Sequence, residues 1–196
     1  MNRIIFATGN KGKMDEITQI MKGWEVVSMK DAGVSLDIEE NGSSFEENAL
    51  IKARAVWEKT GGLVMADDSG LVVDALGGEP GIYSARYMGE DTSYSLKNKN
   101  ILKRLEGVPE EERSARFVCA VAAIFPDGSE KVVTGIMEGF IGHEISGVNG
   151  FGYDPIFIMP EFGISNAELS MEVKNEISHR GRALRKMQEL LNGGAV

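Results

Sequence analysis

The feature that most constrains the fold lies late in the chain. Ala115 to Phe125 and Lys131 to Ile141 are long, largely apolar stretches separated by Pro126-Asp127-Gly128-Ser129. Pro, Asp and Gly in succession favour a tight turn. Two strands joined so closely are antiparallel neighbours, because a parallel pair needs a long crossover. A purely parallel, doubly wound sheet has no place for this hairpin.

Upstream, strands and helices mix. Arg3 to Ala7 reads as a short buried strand. Lys11 to Met21 carries Met14, Ile17, Ile20 and Met21 at helical spacing. Trp24 to Met29 is a second strand, and Phe45 to Lys59 a helix with Ala49, Leu50, Ala53, Val56 and Trp57 inward. Leu63 to Ala66 and Leu71 to Ala75 read as two short strands on either side of Asp67-Asp68-Ser69-Gly70. A helix follows over Thr92 to Leu105, and Gly147 to Asp154 is a glycine-rich loop. Ser178 to Leu191 is the last helix, with Ser178 as its N-cap, and Gly193-Gly194-Ala195-Val196 reads as a frayed tail. The expected architecture is α/β: a central mixed sheet flanked by helices.

Bulk properties narrow the function. The net charge is −9, which disfavours a nucleic-acid polymer as partner, since that requires a basic face. The single cysteine, Cys119, can form no internal disulfide and reads as an inert core residue. The first residues are too short and too soon polar for a signal peptide, and no apolar run approaches the roughly 20 residues that span a bilayer. The expectation is a cytoplasmic protein with no membrane partner.

Four segments carry candidate chemistry. Thr8-Gly9-Asn10-Lys11-Gly12-Lys13 joins a strand to a helix, where backbone N–H groups and the positive helix end suit an anion. It lacks the Walker spacing, and a plain turn with surface lysines fits equally. Asp67 and Asp68 are adjacent carboxylates, ligands that Mg²⁺ prefers, with Glu39-Glu40 as a second acidic pair; a solvated acidic turn is the bland reading. Ser178-His179-Arg180-Gly181 places a stacking imidazole and an obligate donor at a helix start. Phe151-Gly152-Tyr153-Asp154-Pro155 offers aromatics and an acid for a base, or simply a loop packed down by its rings. Lys52 and Lys174 are further cations. Together these parts describe a nucleotide site: phosphate cradle, metal acids, aromatic clamp and base reader.

Their order resembles the inosine triphosphatase family. The matching stretches are the Thr8–Lys13 segment, Ser44-Phe45-Glu46-Glu47-Asn48-Ala49 with Lys52-Ala53, Ala66-Asp67-Asp68-Ser69-Gly70-Leu71, Ala75 to Tyr87, Gly150 to Pro155, Lys174-Asn175 and Ser178-His179-Arg180-Gly181. The segment Ser165-Asn166-Ala167-Glu168-Leu169 departs slightly from the pattern.

The resemblance implies one catalytic domain over residues 1–196, two lobes around a long mixed sheet with the cleft between them, and a homodimer. It implies hydrolysis of inosine, xanthosine and deoxyinosine triphosphates to the monophosphate and pyrophosphate, with Mg²⁺. On that footing Asp68 is the general base, or the ligand that holds the attacking water. Asp67 and either Glu39 or Glu40 support the ion. Thr8, Asn10, Lys13 and Lys52 hold phosphates, with Gly9, Lys11 and Gly12 in the same cradle, and Ser69 contacts substrate. Phe151 and His179 stack on the base beside Gly152 and Tyr153. Asp154 accepts from the base or from neighbouring site groups, Lys174 reaches base or phosphate, and Arg180 donates to the 6-oxo group. The competing readings are a pyrophosphatase for modified pyrimidine nucleotides and a nucleotide-binding module without catalysis.

Overall fold

The structure, a computed structural model, describes residues 2–193, so all but Gly193 of the tail expected at 193–196 lies outside it. The elements in chain order are β1 (Asn2–Phe6), α1 (Lys11–Ile20), β2 (Trp24–Ser28), α2 (Phe45–Thr60), β3 (Val64–Val73), α3 (Tyr94–Arg104), β4 (Ser114–Ile124), β5 (Glu130–Ile141), β6 (Phe157–Met159), β7 (Ile164–Ser165), α4 (Met171–Ile177) and α5 (His179–Leu191). Seven strands form one sheet in the order β2-β1-β3-β4-β5-β6-β7. β1 pairs in parallel with β2 and β3, whereas β5, β6 and β7 pair antiparallel. The mixed sheet follows from the hairpin: Phe125 donates to Ser129, and β4 and β5 are neighbours across that turn.

The chain divides into two compact units. The first comprises Met1–Ser69, Cys119–Gly135 and His179–Val196. In it, one sheet face packs Ile4, Phe6, Met65, Cys119 and Val121 against Ile17 and Met21 of the α1 region and Ala183, Leu184 and Met187 of α5. The other face packs Val64, Ala66, Ala120 and Ala122 against Ala49, Ala53 and Val56 of α2. Alanines on both partners let α2 lie close to the sheet. The second unit comprises Gly70–Val118 and Ile136–Ser178. Its core gathers Leu71, Val73, Ile101, Leu105, Phe117, Met137, Ile141, Tyr153 and Phe157.

The structure corrects the reading around the acidic pair. β3 runs unbroken from Val64 to Val73, straight through Asp67-Asp68-Ser69-Gly70, where two strands and a turn were expected. Local propensity disfavours Asp and Gly in strands, but tertiary partners override it. Both carboxylates are buried and bonded to groups from the flanking helices. Strand α-carbons project side chains alternately, so Asp67 shares a face with Met65 and Asp68 one with Ala66. The short elements β6, β7 and α4 carry little periodicity, and sequence patterning missed them.

Candidate active site

The two acids stand in different chemical surroundings because they point to opposite faces of β3. On the α1/α5 face, Lys13 Nζ lies 3.1 Å from both Asp67 oxygens. Asp67 Oδ2 also accepts from Ser69 Oγ at 2.8 Å and from Arg180 Nε at 3.2 Å. Burial alone would push this carboxyl up. Lys13, Arg180 and Lys52, with the Ser69 hydroxyl, outweigh burial and hold it well below the usual carboxylate range. Asp67 is therefore a fixed anion with both oxygens engaged.

On the α2 face, Asp68 Oδ2 accepts from Asn48 Nδ2 at 3.1 Å, and Oδ1 from the Ser69 amide at 3.0 Å. Lys52 Nζ lies 3.7 Å from Asp68 Oδ1 and 3.1 Å from Glu40 Oε1. Here burial wins: it raises the Asp68 carboxyl above its ordinary value, Glu40 adds to the rise, and Lys52 and Asn48 oppose it. The two neighbouring carboxyls are thus shifted in opposite directions, by cations at Asp67 and by burial at Asp68.

Local sequence explains how these groups reach the acids. Asn10 caps α1 by accepting from the Lys13 amide at 3.1 Å, which starts the helix so that Lys13 falls in its first turn. The Asn10 amide in turn donates to Thr8 Oγ1. The Asn10 carbonyl oxygen is thus spent on the cap, while Gly9, Asn10 and Lys11 are exposed at the helix start. Ser44 caps α2 by accepting from Glu47. Asn48 and Lys52, four residues apart, then share one helix face. Asn48 Oδ1 accepts from the Gly42 amide at 2.8 Å, in a space where a Cβ on Gly42 would come within 2.7 Å of that oxygen.

Arg180 departs from its expected orientation. Its guanidinium is buried, with Nη1 donating to Glu16, Nε to Asp67 and Nη2 to Ser69. These contacts make it the counter-charge of Asp67. Its helix is seated by Gly135 of β5, where a Cβ would overlap the His179 carbonyl oxygen and lie 2.6 Å from the Ala183 amide nitrogen. His179 is buried at the same helix start. Of the four acids considered for a metal, Glu40 stands beside Asp68 through Lys52, Glu39 is exposed, and Asp67 is occupied by cations.

In the second unit, Asp154 accepts from the Phe151 amide, Lys174 Nζ and Asn166 Nδ2, so it serves neighbouring site groups. Lys174 Nζ sits 4.8 Å from the centre of the Phe151 ring, a cation–π distance. Phe151 and Gly152 border a cavity of about 260 Å³ shared with Tyr94 and Asn98. Tyr153 is in the core: its hydroxyl donates to Ser84 O at 2.7 Å, and its ring meets Tyr94 edge-on. Burial pushes the Cys119 thiol up to about 12, with the Asp67 charge adding to it, which suits an inert thiol.

Sequence reasoning overlooked Glu16, Asn48 and Asn166 as site residues. The signals were present but faint. Glu16 is a charge next to the inward Ile17, three residues after Lys13, and Asn48 is a poor helix former inside a helix.

The fold and this cluster define a class: an α/β protein with cations and carboxylates gathered beside a helix N-terminus on a mixed sheet. Residues 4–190 match the Ham1 family, and the chain belongs to that family. It is 50% identical over 194 residues to the dITP/XTP pyrophosphatase of Bacillus licheniformis, covering 98% of this chain and 99% of that one. It is 46% identical over 193 residues to the dITP/XTP pyrophosphatase of Bacillus subtilis, covering 97% and 98%. The Staphylococcus aureus Ham1 protein superposes with a TM-score of 0.88 at 42% identity, over 98% of this chain and 99% of that one. The Ham1 protein of Coxiella burnetii gives 0.89 at 38% identity, over 99% and 100%.

Proposed function

We propose that this chain hydrolyses deaminated purine nucleoside triphosphates, namely ITP, dITP and XTP, to the monophosphate and pyrophosphate, clearing them from the nucleotide pool. The observation that carries the reading is the split pair on β3, one acid saturated by cations and its neighbour raised and with spare acceptor capacity. The names of the relatives support the substrate class.

Water attacks the α-phosphorus and pyrophosphate leaves. Asp68 accepts the proton of that water or holds it for attack; its oxygens each retain acceptor capacity beyond their bonds to Asn48 and Ser69. Lys13 and Lys52 take the negative charge that grows on the leaving oxygens, aided by the α1 N-terminus. Asp67 does no proton transfer. It holds Lys13 and Arg180 in place.

The donor chemistry fits Mg²⁺. Asp68 and Glu40 are hard oxygen ligands converging on one cation, the Lys52 ammonium. In this proposal Asp68 and Glu40 hold the ion, which when bound supplies charge neutralisation to the phosphates and lowers the pKa of water. Phe151 stacks on the base, and Lys174 donates to its 6-oxo group. Assembly as a homodimer and action in the cytoplasm belong to the same proposal; none of the described helices is long and apolar enough to cross a membrane.

The test is a panel of inosine, xanthosine, adenosine, uridine and modified pyrimidine triphosphates with pyrophosphate detection. We expect release from the first two with magnesium and none with EDTA. Preference for a pyrimidine, or binding without turnover, would overturn the reading. Arg180→Ala distinguishes its two roles. As counter-charge of Asp67, its loss lowers kcat/KM for inosine and adenosine substrates alike; a changed ratio between them assigns it to base reading instead.

A further inference from the structure

We infer that Asn166 is a positioning residue for base recognition, acting through Asp154 to hold Phe151 and Lys174; this rests on the base-binding role proposed for those two. Asn166 is fully buried, and its Nδ2 donates to Asp154 Oδ1 at 2.6 Å. The other Asp154 oxygen takes both remaining donors, the Phe151 amide at 2.9 Å and Lys174 Nζ at 2.8 Å. The two oxygens thus divide the work, with Asn166 donating to Oδ1 while Phe151 and Lys174 donate to Oδ2. The amide orientation follows from chemistry, since the opposite flip would set oxygen against carboxylate.

A buried Asn here has a cost. Its Oδ1 finds no hydrogen-bond partner among the described residues, a penalty that an apolar residue at this position would avoid. What it supplies in return is a donor to a carboxylate that is itself buried. The surroundings hold Asn166 in register. Ser165 and Glu168 form a capping box around the single turn Asn166–Glu168. Ala167 O accepts from the amides of both Val148 and Asn149, and Ser165 Oγ donates to Ser146 O. Gly150 lets Asp154 close on the loop, since a Cβ there would overlap Asp154 Oδ2 and lie 3.2 Å from Lys174 Nζ. The turn bearing Asn166 is therefore the backing of the loop that carries Phe151.

Steady-state kinetics on dITP test the inference with four variants of the full chain: Asn166→Leu, Phe151→Ala, Asp154→Asn and the double variant Asp154→Asn with Asn166→Leu. Asn166→Leu should raise KM about tenfold, the scale of one charge-assisted hydrogen bond, with kcat changed less than threefold. In the Asp154→Asn background the same substitution should add little, because the two act as one unit. If Phe151→Ala raises KM and Asn166→Leu does not, the positioning role fails alone. If neither raises KM, the base-binding reading fails and the inference with it. Equal loss of kcat and KM effects that simply add across the pair would also overturn it. Should Asn166→Leu not fold, Asn166→Ala is measured in its place, with the same outcomes.

Discussion

Asp67 and Asp68 are adjacent on one strand, yet the pleat of the sheet sets them in opposite surroundings. One faces α1 and α5 and meets Lys13, Arg180 and Ser69; the other faces α2 and meets Asn48 and Lys52. Burial pushes both carboxyls up; Lys13, Arg180 and Lys52 outweigh it at Asp67, whereas at Asp68 it prevails with Glu40 adding to the rise. The comparison teaches that an acidic pair in sequence need not be a pair in space. Alternation in a strand sends neighbours to opposite faces, so each carboxyl has its own bonded partners even though Lys13 and Lys52 act on both charges.

The largest expected break in this comparison comes from Asp67→Asn. It leaves Lys13 and the buried Arg180 short of a counter-charge, and should cost about 3–5 kcal/mol of stability, the range for breaking a buried ion pair. Thermal or urea unfolding checks it. The sign also follows from protonation. A carboxyl held low in the fold adds stability above its unfolded pKa and loses it as pH falls through the folded value; Asp67→Asn should therefore erase part of the acid sensitivity of folding. A far smaller effect is expected from Arg54→Ala. Its pair with Glu130 is short, at 2.7 Å, but Arg54 is 52% exposed. Solvent screening should keep its contribution below about 1 kcal/mol, and a melt shift as large as that of Asp67→Asn would mean that burial is not what separates the two ion pairs.

Much of this arrangement was legible in the residues. The hairpin at Pro126 to Ser129 implied the mixed sheet, and the periodicity of Lys11–Met21 and Phe45–Lys59 located α1 and α2 within a residue or two. The Asp67–Ser69 stretch was singled out but wrongly shaped. Propensity reads Asp-Asp-Ser-Gly as a turn, and the cations that hold it in a strand come from Lys13, Lys52 and Arg180, far away in sequence. Arg180 was read as facing the base because it is an obligate donor in a stretch that resembles the family's; its partner Glu16 lies 164 residues away and leaves no local mark. Tyr153 carried the same ambiguity: its polar tip suits a ligand or a carbonyl, and here Ser84 O takes it. Lys174 and Asp154 were both noticed, but their link through Asn166 depends on a turn whose residues show no periodic pattern.

The central claim is that Asp68 does the chemistry and Asp67 holds the charges. Asp68→Asn, measured for turnover of dITP with magnesium and for melting in EDTA, tests it most directly. Because the fold raises the Asp68 carboxyl, its ionised form costs stability as pH rises past the ordinary value of 3.8. The neutral amide should thus melt no lower than the parent at neutral pH while kcat falls about 10³-fold, within the range for loss of an acid–base group. Near-parental kcat in Asp68→Asn, or a loss of activity matched by a melt as low as that of Asp67→Asn, would contradict the account.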